Sequence, residues 1–473
     1  MPTTIDVRNP RTGEIDFHIE AASADEVAAV ARRLREGQKA WAALGIQGRI
    51  AVMRRWAESL DKHNAAISAA DSIDTGGNNT SRIAVAMAKG VIHGSCAQAE
   101  ALLASAQRQG TSPLMPNVNY DTLLKPLGLV GVISPWNAPA MLSLLRLIPP
   151  LVAGCAVILN PSEVTPRFTV PLRESFADIP ELAAVFEIVN GAGETGAAVV
   201  EVADLINFCG SVPNGRRVAE GCARRLIPCE LELGGKDPLV ILDGANIEDA
   251  VSATVRGALT GTGQVCFSIE RVYVQRNIFD EYLDALKARV AKVEISYPEM
   301  KPGALAPFTS PHQSKIVDAH LADAVAKGAT IVAGGPSEVL GGGHYMRPTI
   351  LTGVTHDMDI MRHETFGPVI PIMAFDTPEE AIALANDTEF GLSAAVMAAT
   401  EEEARAVASQ IDAGNVSLQD AFLTFAAANA ESDSFGASGM GGRRSGILRY
   451  IKRQAMLLNT AKPVCLTDVA KAA

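Results

Sequence analysis

The residues best suited to chemistry in this sequence are a cysteine, a glutamate and an asparagine, each set among glycines or prolines. Cys266 stands in Gly261-Thr-Gly-Gln-Val-Cys-Phe-Ser268, not on an obvious apolar helix face. A cysteine nucleophile must be partly thiolate at neutral pH, which a helix N-terminus or a nearby positive charge favours. Taken alone it reads more readily as a core cysteine. Glu232 lies between leucines in Glu230-Leu-Glu-Leu-Gly-Gly-Lys236. In a partly buried loop it could serve as a general base. A salt bridge with Lys236 is the plainer reading, and Glu230 is a competing carboxylate. Asn137 lies in Ser134-Pro-Trp-Asn-Ala-Pro139, where two prolines fix the backbone around one amide. An oxyanion donor must be held still in this way before charge develops. A turn asparagine would look the same.

Two glycine-containing turns could receive phosphate. Gly191-Ala-Gly-Glu-Thr-Gly196 matches GxGxxG after the apolar run Val185–Val189, but no convincing ribose acid follows the next strand. Phe208-Cys-Gly-Ser211 follows another apolar piece and opens a predicted helix, a second possible cradle. Ordinary turn glycines explain both equally well.

The elements needed to position these residues are visible in the patterning. Residues 23–110 predict helices, with apolar residues at helical spacing such as Val27, Val30, Ala31 and Leu34. After about residue 111 the texture changes. A short strand, a turn at Lys125-Pro126 and a buried strand at Leu129–Ile133 are expected, then apolar runs at Ala156–Leu159 and Ala184–Val189. Strand–turn–helix alternation predicts a doubly wound parallel sheet. A second alternation follows Gly234-Gly235, with strands at 239–242, 272–274, 330–333 and 369–374 and helices at 280–293, 311–327, 378–386 and 401–411. The Gly/Ser-rich segment 432–446 reads as a loop, and 454–466 as a terminal strand.

Bulk properties narrow the class. A chain of 473 residues is too long for one core, and 48% hydrophobic with 20% charged residues fits a folded globular protein. A net charge of −12 disfavours nucleic acid or an anionic membrane as partner. The seven cysteines are scattered without a CxxC pair, so a reducing compartment is expected. No zinc-ligand spacing occurs, so no metal is expected. With no leader-like apolar start and no uninterrupted membrane-length apolar run, the expected location is the cytoplasm.

Taken together, the motifs resemble those of the aldehyde dehydrogenase superfamily, in that family's order. Pro135-Trp-Asn137 resembles PWN, Asn160-Pro-Ser-Glu163 resembles KPSE, and Phe208-Cys-Gly-Ser211 resembles FTGS. Glu232-Leu-Gly-Gly-Lys236 resembles ELGGK, and Gly263-Gln-Val-Cys266 resembles GQxC, with Cys266 placed 34 residues after Glu232. Glu364-Thr-Phe-Gly-Pro-Val369 resembles ExFGP, and Asn386 with Gly391-Leu-Ser resembles the following N…GL motif. The similarity runs over nearly the whole chain.

The resemblance implies an α/β fold with two doubly wound domains and a small β oligomerisation element. A Rossmann-variant cofactor domain would take 1–110 and 127–235, a catalytic domain 236–433, and the oligomerisation element 111–126 with 434–473. It implies that Cys266 attacks an aldehyde as thiolate, that Asn137 and the Cys266 backbone amide hold the oxyanion, and that Glu232 activates the hydrolytic water. Glu364 would bind the nicotinamide ribose, with Phe366 packing nearby, Glu163 the adenosine ribose, and Ser211 the pyrophosphate. Ser134, Pro135, Trp136, Asn160, Ser162, Gly193, Phe208, Gly210, Leu233 and Gly234 would line the same cofactor site. The Gly191–Gly196 turn would then lie near the adenine rather than cradle phosphate.

Departures from the family pattern sharpen this. Asn160 replaces the usual lysine, which with Glu163 points to NAD over NADP. Cys209 replaces the usual threonine, and the loop 434–442 lacks the usual lysine. The resemblance places Leu142, Leu145, Arg146, Phe267, Phe422 and Phe425 around the substrate tunnel. This mostly apolar set fits an aromatic or medium-chain aldehyde, while Arg146 leaves a semialdehyde with an acidic tail as the alternative. A CoA-acylating enzyme, whose members typically lack the base glutamate, and a non-catalytic binding protein are the further alternatives. Family members are dimers or tetramers, so a homo-oligomer is expected.

Overall fold

The structure is a computed structural model that describes residues 3–77, 79–424, 426, 430–443 and 446–463. Phe425 and the end of the tail, 464–473, lie outside the described residues.

The helical N-terminal half follows from its patterning. Ser23 and Glu26 form a reciprocal capping box that starts the helix Ala24–Ala43, and Val27, Ala31, Leu34 and Trp41 form its buried stripe. Helices Gly45–Asp74 and Ala84–Ala106 complete the layer. A hairpin, Thr3–Arg8 with Ile15–Ala21, precedes them and was not expected from the polar start. Its buried Val7 and Ile19 show why: a short strand with one half-buried face needs few apolar residues.

The first sheet is wholly parallel. Its strands run Phe186–Ile188, Ala156–Asn160, Leu129–Ile133, Leu205–Cys209, Cys229–Glu232 in spatial order. The continuous apolar runs of its central strands fit burial on both faces. The chain starts at Leu129–Ile133, winds to one edge, then crosses back to Leu205–Cys209. The carboxyl ends of those two strands flank a topological switch point, where such sheets bind ligands. The turn before this sheet falls at Leu127-Gly128, with Gly128 at φ +121°, and not at Lys125-Pro126, which still belongs to the strand Val118–Pro126.

The second sheet has seven strands in the order Thr330–Ala333, Thr349–Thr352, Val369–Phe375, Ile269–Gln275, Asp237–Ile241, Ser393–Met397, Asn415–Leu418. All its pairings are parallel except the first. One hydrophobic core spans residues 27–233 together with Ile447, Tyr450 and Ile451, and two further cores fill the two faces of the second sheet.

A third, antiparallel sheet joins Gln109–Thr111, Val118–Pro126 and the strand Ile451–Asn459, with Ile451 opposite Pro126 and Asn459 opposite Val118. The segment 432–446 is not wholly loop: Ser432–Asp433 pairs with Gly442–Arg443, and Phe435–Gly436 with Phe390–Gly391. Among the described residues no helix is long and apolar enough to cross a membrane.

Candidate active site

The carboxyl ends of the first sheet face the amino ends of the second, and the candidate residues gather at that junction. Ser134 to Asn137 follow the strand Leu129–Ile133 and lead into the helix Pro139–Ala153. Ser134 and Ser143 share a hydroxyl hydrogen bond of 2.7 Å. The start of that helix is held from behind by Asp71, whose Oδ1 accepts the Ala140 N–H at 3.0 Å. Asn137 is buried, and its Nδ2 donates to the carbonyl of Gln264 at 2.9 Å, two residues before Cys266.

The loop carrying Cys266 is locked in an unusual conformation. Gly261, Thr262 and Gly263 all have positive φ, near +60° to +70°. For Thr262 this costs steric strain, and its hydroxyl is tied to the Ala306 carbonyl at 3.0 Å. A Cβ on Gly263 would run into the Gly367 carbonyl, and one on Gly235 would come within 2.5 Å of the Cys266 carbonyl oxygen. The loop is therefore wedged between the Gly234-Gly235 segment and the turn that follows Glu364. Burial pushes the Cys266 thiol well above its ordinary pKa, and the charges of Cys209, Glu364, Glu232 and Asp237 push the same way.

Glu232 ends the strand Cys229–Glu232. Its Oε1 lies 3.0 Å from an Arg146 guanidinium nitrogen and accepts the Gly442 N–H at 3.0 Å. The simple reading of a Glu232–Lys236 bridge is replaced by another pairing. Lys236 is fully buried and donates to Glu270 at 2.7 Å, while Glu230 pairs with Arg449 at 3.0 Å.

Most of the candidate cofactor residues follow the carboxyl ends of the first sheet, around the switch point. Ser211 precedes the helix Val212–Arg225 without a side-chain capping bond; Pro213 has no N–H, which leaves the Val212 and Asn214 amides at that helix start outside the helix's own hydrogen bonds. Gly210 donates to the Glu232 carbonyl at 3.1 Å, and Phe208 is buried in the strand before it. Phe366 packs edge-on against Trp136, with ring centroids 5.4 Å apart, beside Pro135. Glu364 accepts the Gly235 N–H at 3.2 Å and lies against Gly234, while Leu233 N–H donates to Ser438. Burial raises the Glu364 carboxyl pKa, with the Glu270 charge adding to the effect. Ser162 accepts the Val164 N–H at 3.2 Å next to half-buried Glu163. Asn160 turns inward: only 3% exposed, its amide donates to the Val189 and Gly191 carbonyls at 3.0 and 3.1 Å. It shapes the Gly191 turn rather than reaching into the cleft. Gly193 opens the helix Gly193–Val202 at the end of that turn. A switch-point cleft, a helix start without a side-chain cap and a carboxylate beside a Gly-Gly pair fit a dinucleotide.

Around the thiol, Val265, Phe267 and Leu392 form a small apolar cluster that packs on Cys266 and Phe422. The rings of Phe267 and Phe422 lie 4.4 Å apart. Leu142 and Leu145 belong instead to the core of the first sheet. Arg146, on the same helix, points its guanidinium to Glu232. Sequence reasoning passed over Asp71 and Glu270, and it paired Lys236 with Glu232 rather than with Glu270. The signal for Glu270 was present: Glu270-Arg271 are adjacent charges in the otherwise apolar strand Ile269–Gln275, and a charge buried in such a strand needs a partner.

The family model described as "Aldehyde dehydrogenase family" matches residues 1–456. A Mycolicibacterium smegmatis protein named as a putative succinate-semialdehyde dehydrogenase [NADP(+)] is 36% identical over 454 residues, covering 94% of this chain and 87% of that one. A betaine aldehyde dehydrogenase of Rhizobium leguminosarum is 35% identical, covering 88% and 85%. Among solved structures, that of a putative aldehyde dehydrogenase, PutA, from Anabaena variabilis superposes with a TM-score of 0.94 at 42% identity, covering 98% of this chain and 99% of that one. The Staphylococcus aureus betaine aldehyde dehydrogenase in complex with NAD+ superposes with a TM-score of 0.91 at 28% identity, covering 98% and 92%.

Proposed function

The chain belongs to the aldehyde dehydrogenase family, and from that premise we propose that it oxidises an aldehyde to the carboxylic acid through a covalent adduct on Cys266. The observation that carries this reading is the Asn137 amide on the nucleophile loop, 2.9 Å from the Gln264 carbonyl, with Cys266 two residues on. Cys266 Sγ attacks the aldehyde carbon, its thiol proton passing to water, and gives a thiohemiacetal oxyanion. The Asn137 amide and the Cys266 backbone N–H stabilise the oxyanion. A nicotinamide dinucleotide, held by residues such as Glu364, would supply the hydride acceptor, and Cys266 would then carry the thioester left by hydride loss. Glu232 takes a proton from water, whose oxygen attacks the thioester carbonyl and releases the acid and the thiol. The presence of Glu232 supports hydrolysis over transfer to CoA.

Glu163 would hold the adenosine ribose, and its anionic charge disfavours a 2′-phosphate. That supports NAD, whereas the succinate-semialdehyde relatives are named for NADP. The Phe267–Phe422 pair beside Cys266 supports an aromatic or medium-chain aldehyde. The second reading, a semialdehyde with an acidic tail, draws on the names of curated relatives. Against it, the Arg146 guanidinium already faces Glu232. Absorbance at 340 nm with benzaldehyde, hexanal and succinic semialdehyde, each with NAD+ and NADP+, tests all of this. Preference for succinic semialdehyde, or better turnover with NADP+, reverses the corresponding part.

The strand Ile451–Asn459 supports a homo-oligomer. It is the edge of its sheet, and Met456, Leu457 and Leu458 are 46%, 71% and 63% exposed. Exposed apolar edges call for a partner strand or surface.

A further inference from the structure

Glu270 and Lys236 are buried charges for which the proposed chemistry has no use. Glu270 is 3% exposed and Lys236 1%. Desolvating such a pair is costly unless geometry and extra hydrogen bonds repay it. Here the extra bonds all go to one place. Glu270 Oε2 accepts the Lys236 ammonium at 2.7 Å and the Thr365 N–H at 2.7 Å. Its Oε1 accepts the Phe366 N–H at 2.8 Å. Lys236 Nζ also donates to the Thr365 hydroxyl at 2.8 Å. Both side chains thus close on the turn Glu364-Thr-Phe-Gly367.

That turn needs holding. Phe366 has φ +54°, a left-handed conformation that a bulky residue adopts only when its surroundings over-determine it. Its ring packs edge-on against Trp136, and the preceding Glu364 accepts the Gly235 N–H. Glu270 stands four residues after Cys266, at the start of the strand Ile269–Gln275. One short stretch of chain therefore carries both the candidate nucleophile and the carboxylate that fixes the neighbouring turn.

We propose that Glu270, seated on Lys236, is the positioning residue that holds the Glu364–Phe366 turn so that it receives the nicotinamide-riboside half of the dinucleotide. This rests on the dehydrogenase reading above and extends it to a residue that touches neither substrate nor cofactor. The adenosine half would rest on Glu163 and Ser211, beyond the strands Ala156–Asn160 and Leu205–Cys209, whereas the hydrogen bonds of Glu270 go to Lys236, Thr365 and Phe366.

Binding measurements on whole protein test this without turnover. In wild type and Glu270→Gln, dissociation constants are measured by calorimetry for NADH and for AMP, which lacks the nicotinamide riboside. The expected result is NADH affinity weakened about tenfold or more, the value of one charge-assisted hydrogen bond, with AMP affinity within about twofold. The second-order rate of Cys266 alkylation by iodoacetamide, without dinucleotide, should also stay within about twofold. Because Glu270→Gln leaves an unpaired buried ammonium, the double variant Glu270→Gln/Lys236→Met, which removes both charges, is measured beside it. Weak NADH binding should persist in the double variant. Return to wild-type affinity there, unchanged NADH affinity in Glu270→Gln, or equal loss of NADH and AMP would overturn the proposal. A wild type that binds neither NADH nor NADPH would instead overturn the dehydrogenase reading on which it stands.

Discussion

A guanidinium nitrogen of Arg146 lies 3.0 Å from Oε1 of Glu232, the same oxygen that accepts the Gly442 N–H. The helix after the Pro-Trp-Asn segment and the Gly-rich loop near the C-terminus thus grip one carboxylate between them. A Cβ on Gly441 would also come within 2.6 Å of that oxygen, so the loop can approach this closely only with glycine there. On the proposed mechanism, Arg146 would then orient the carboxylate that activates the hydrolytic water.

Replacing Arg146 by Met should therefore slow deacylation. We expect kcat to fall about tenfold or more, as for loss of one charge-assisted hydrogen bond, with the KM for benzaldehyde falling in step so that kcat/KM is little changed. Stopped-flow absorbance at 340 nm should show a burst followed by the slow phase. A rise in KM confined to succinic semialdehyde, with kcat kept, would assign Arg146 to substrate binding.

The state of Cys266 is open to a direct titration. Burial raises the thiol pKa, so in protein without dinucleotide the thiolate fraction is small at neutral pH. Alkylation by iodoacetamide, followed by peptide mass spectrometry at Cys266, should accelerate about tenfold per pH unit between pH 7 and 9. A rate already at its plateau below pH 7 would contradict the buried-thiol picture.

Asp71 links stability to the active-site helix. Burial raises its carboxyl pKa to about 6, against which the Ser81 hydroxyl and the Ala140 N–H act. A raised folded-state pKa means that the folded protein holds this proton more tightly than the unfolded chain. Its contribution is fully present below about pH 4 and is lost as pH rises through about 6. The Asp71→Asn variant does not titrate there. The unfolding free energy of wild type minus that of Asp71→Asn should fall by up to about 3 kcal/mol between pH 4 and 7, read from urea melts. A difference that grows with pH has the wrong sign for a desolvated carboxyl.

The strand Ile451–Asn459 offers a test of assembly. The double substitution Leu457→Glu/Leu458→Glu places one charge on each exposed side of this strand. Multi-angle light scattering should show dissociation toward monomer relative to wild type. An unchanged oligomeric mass would remove this strand from the interface.

The architecture was legible where periodicity was strong. The stripe Val27, Ala31, Leu34 and the runs Leu129–Ile133 and Ala156–Leu159 follow directly from burial on one helix face or both sheet faces. The short N-terminal hairpin was not legible, because two buried residues, Val7 and Ile19, suffice for it. Motif order brought Asn137, Glu232, Cys266 and Glu364 to one junction, but it could not show their partners. Lys236 is near Glu232 in sequence and yet pairs with Glu270, because successive residues leave a strand start in different directions. Asn160 marked a lost cation by sequence, whereas its amide holds the Gly191 turn. Arg146 read as a tunnel residue, since sequence alone cannot say which way a long side chain bends.

The central claim is a thioester on Cys266 that Glu232 helps to hydrolyse. Its most direct test is the intact mass of the Glu232→Gln variant after mixing with benzaldehyde and NAD+. NADH formed in a single turnover is expected, with a stable mass gain equal to the aldehyde less two hydrogen atoms, mapped to Cys266 and absent from Cys266→Ala. NADH formation at the wild-type rate with no adduct, or the same adduct in Cys266→Ala, would contradict it.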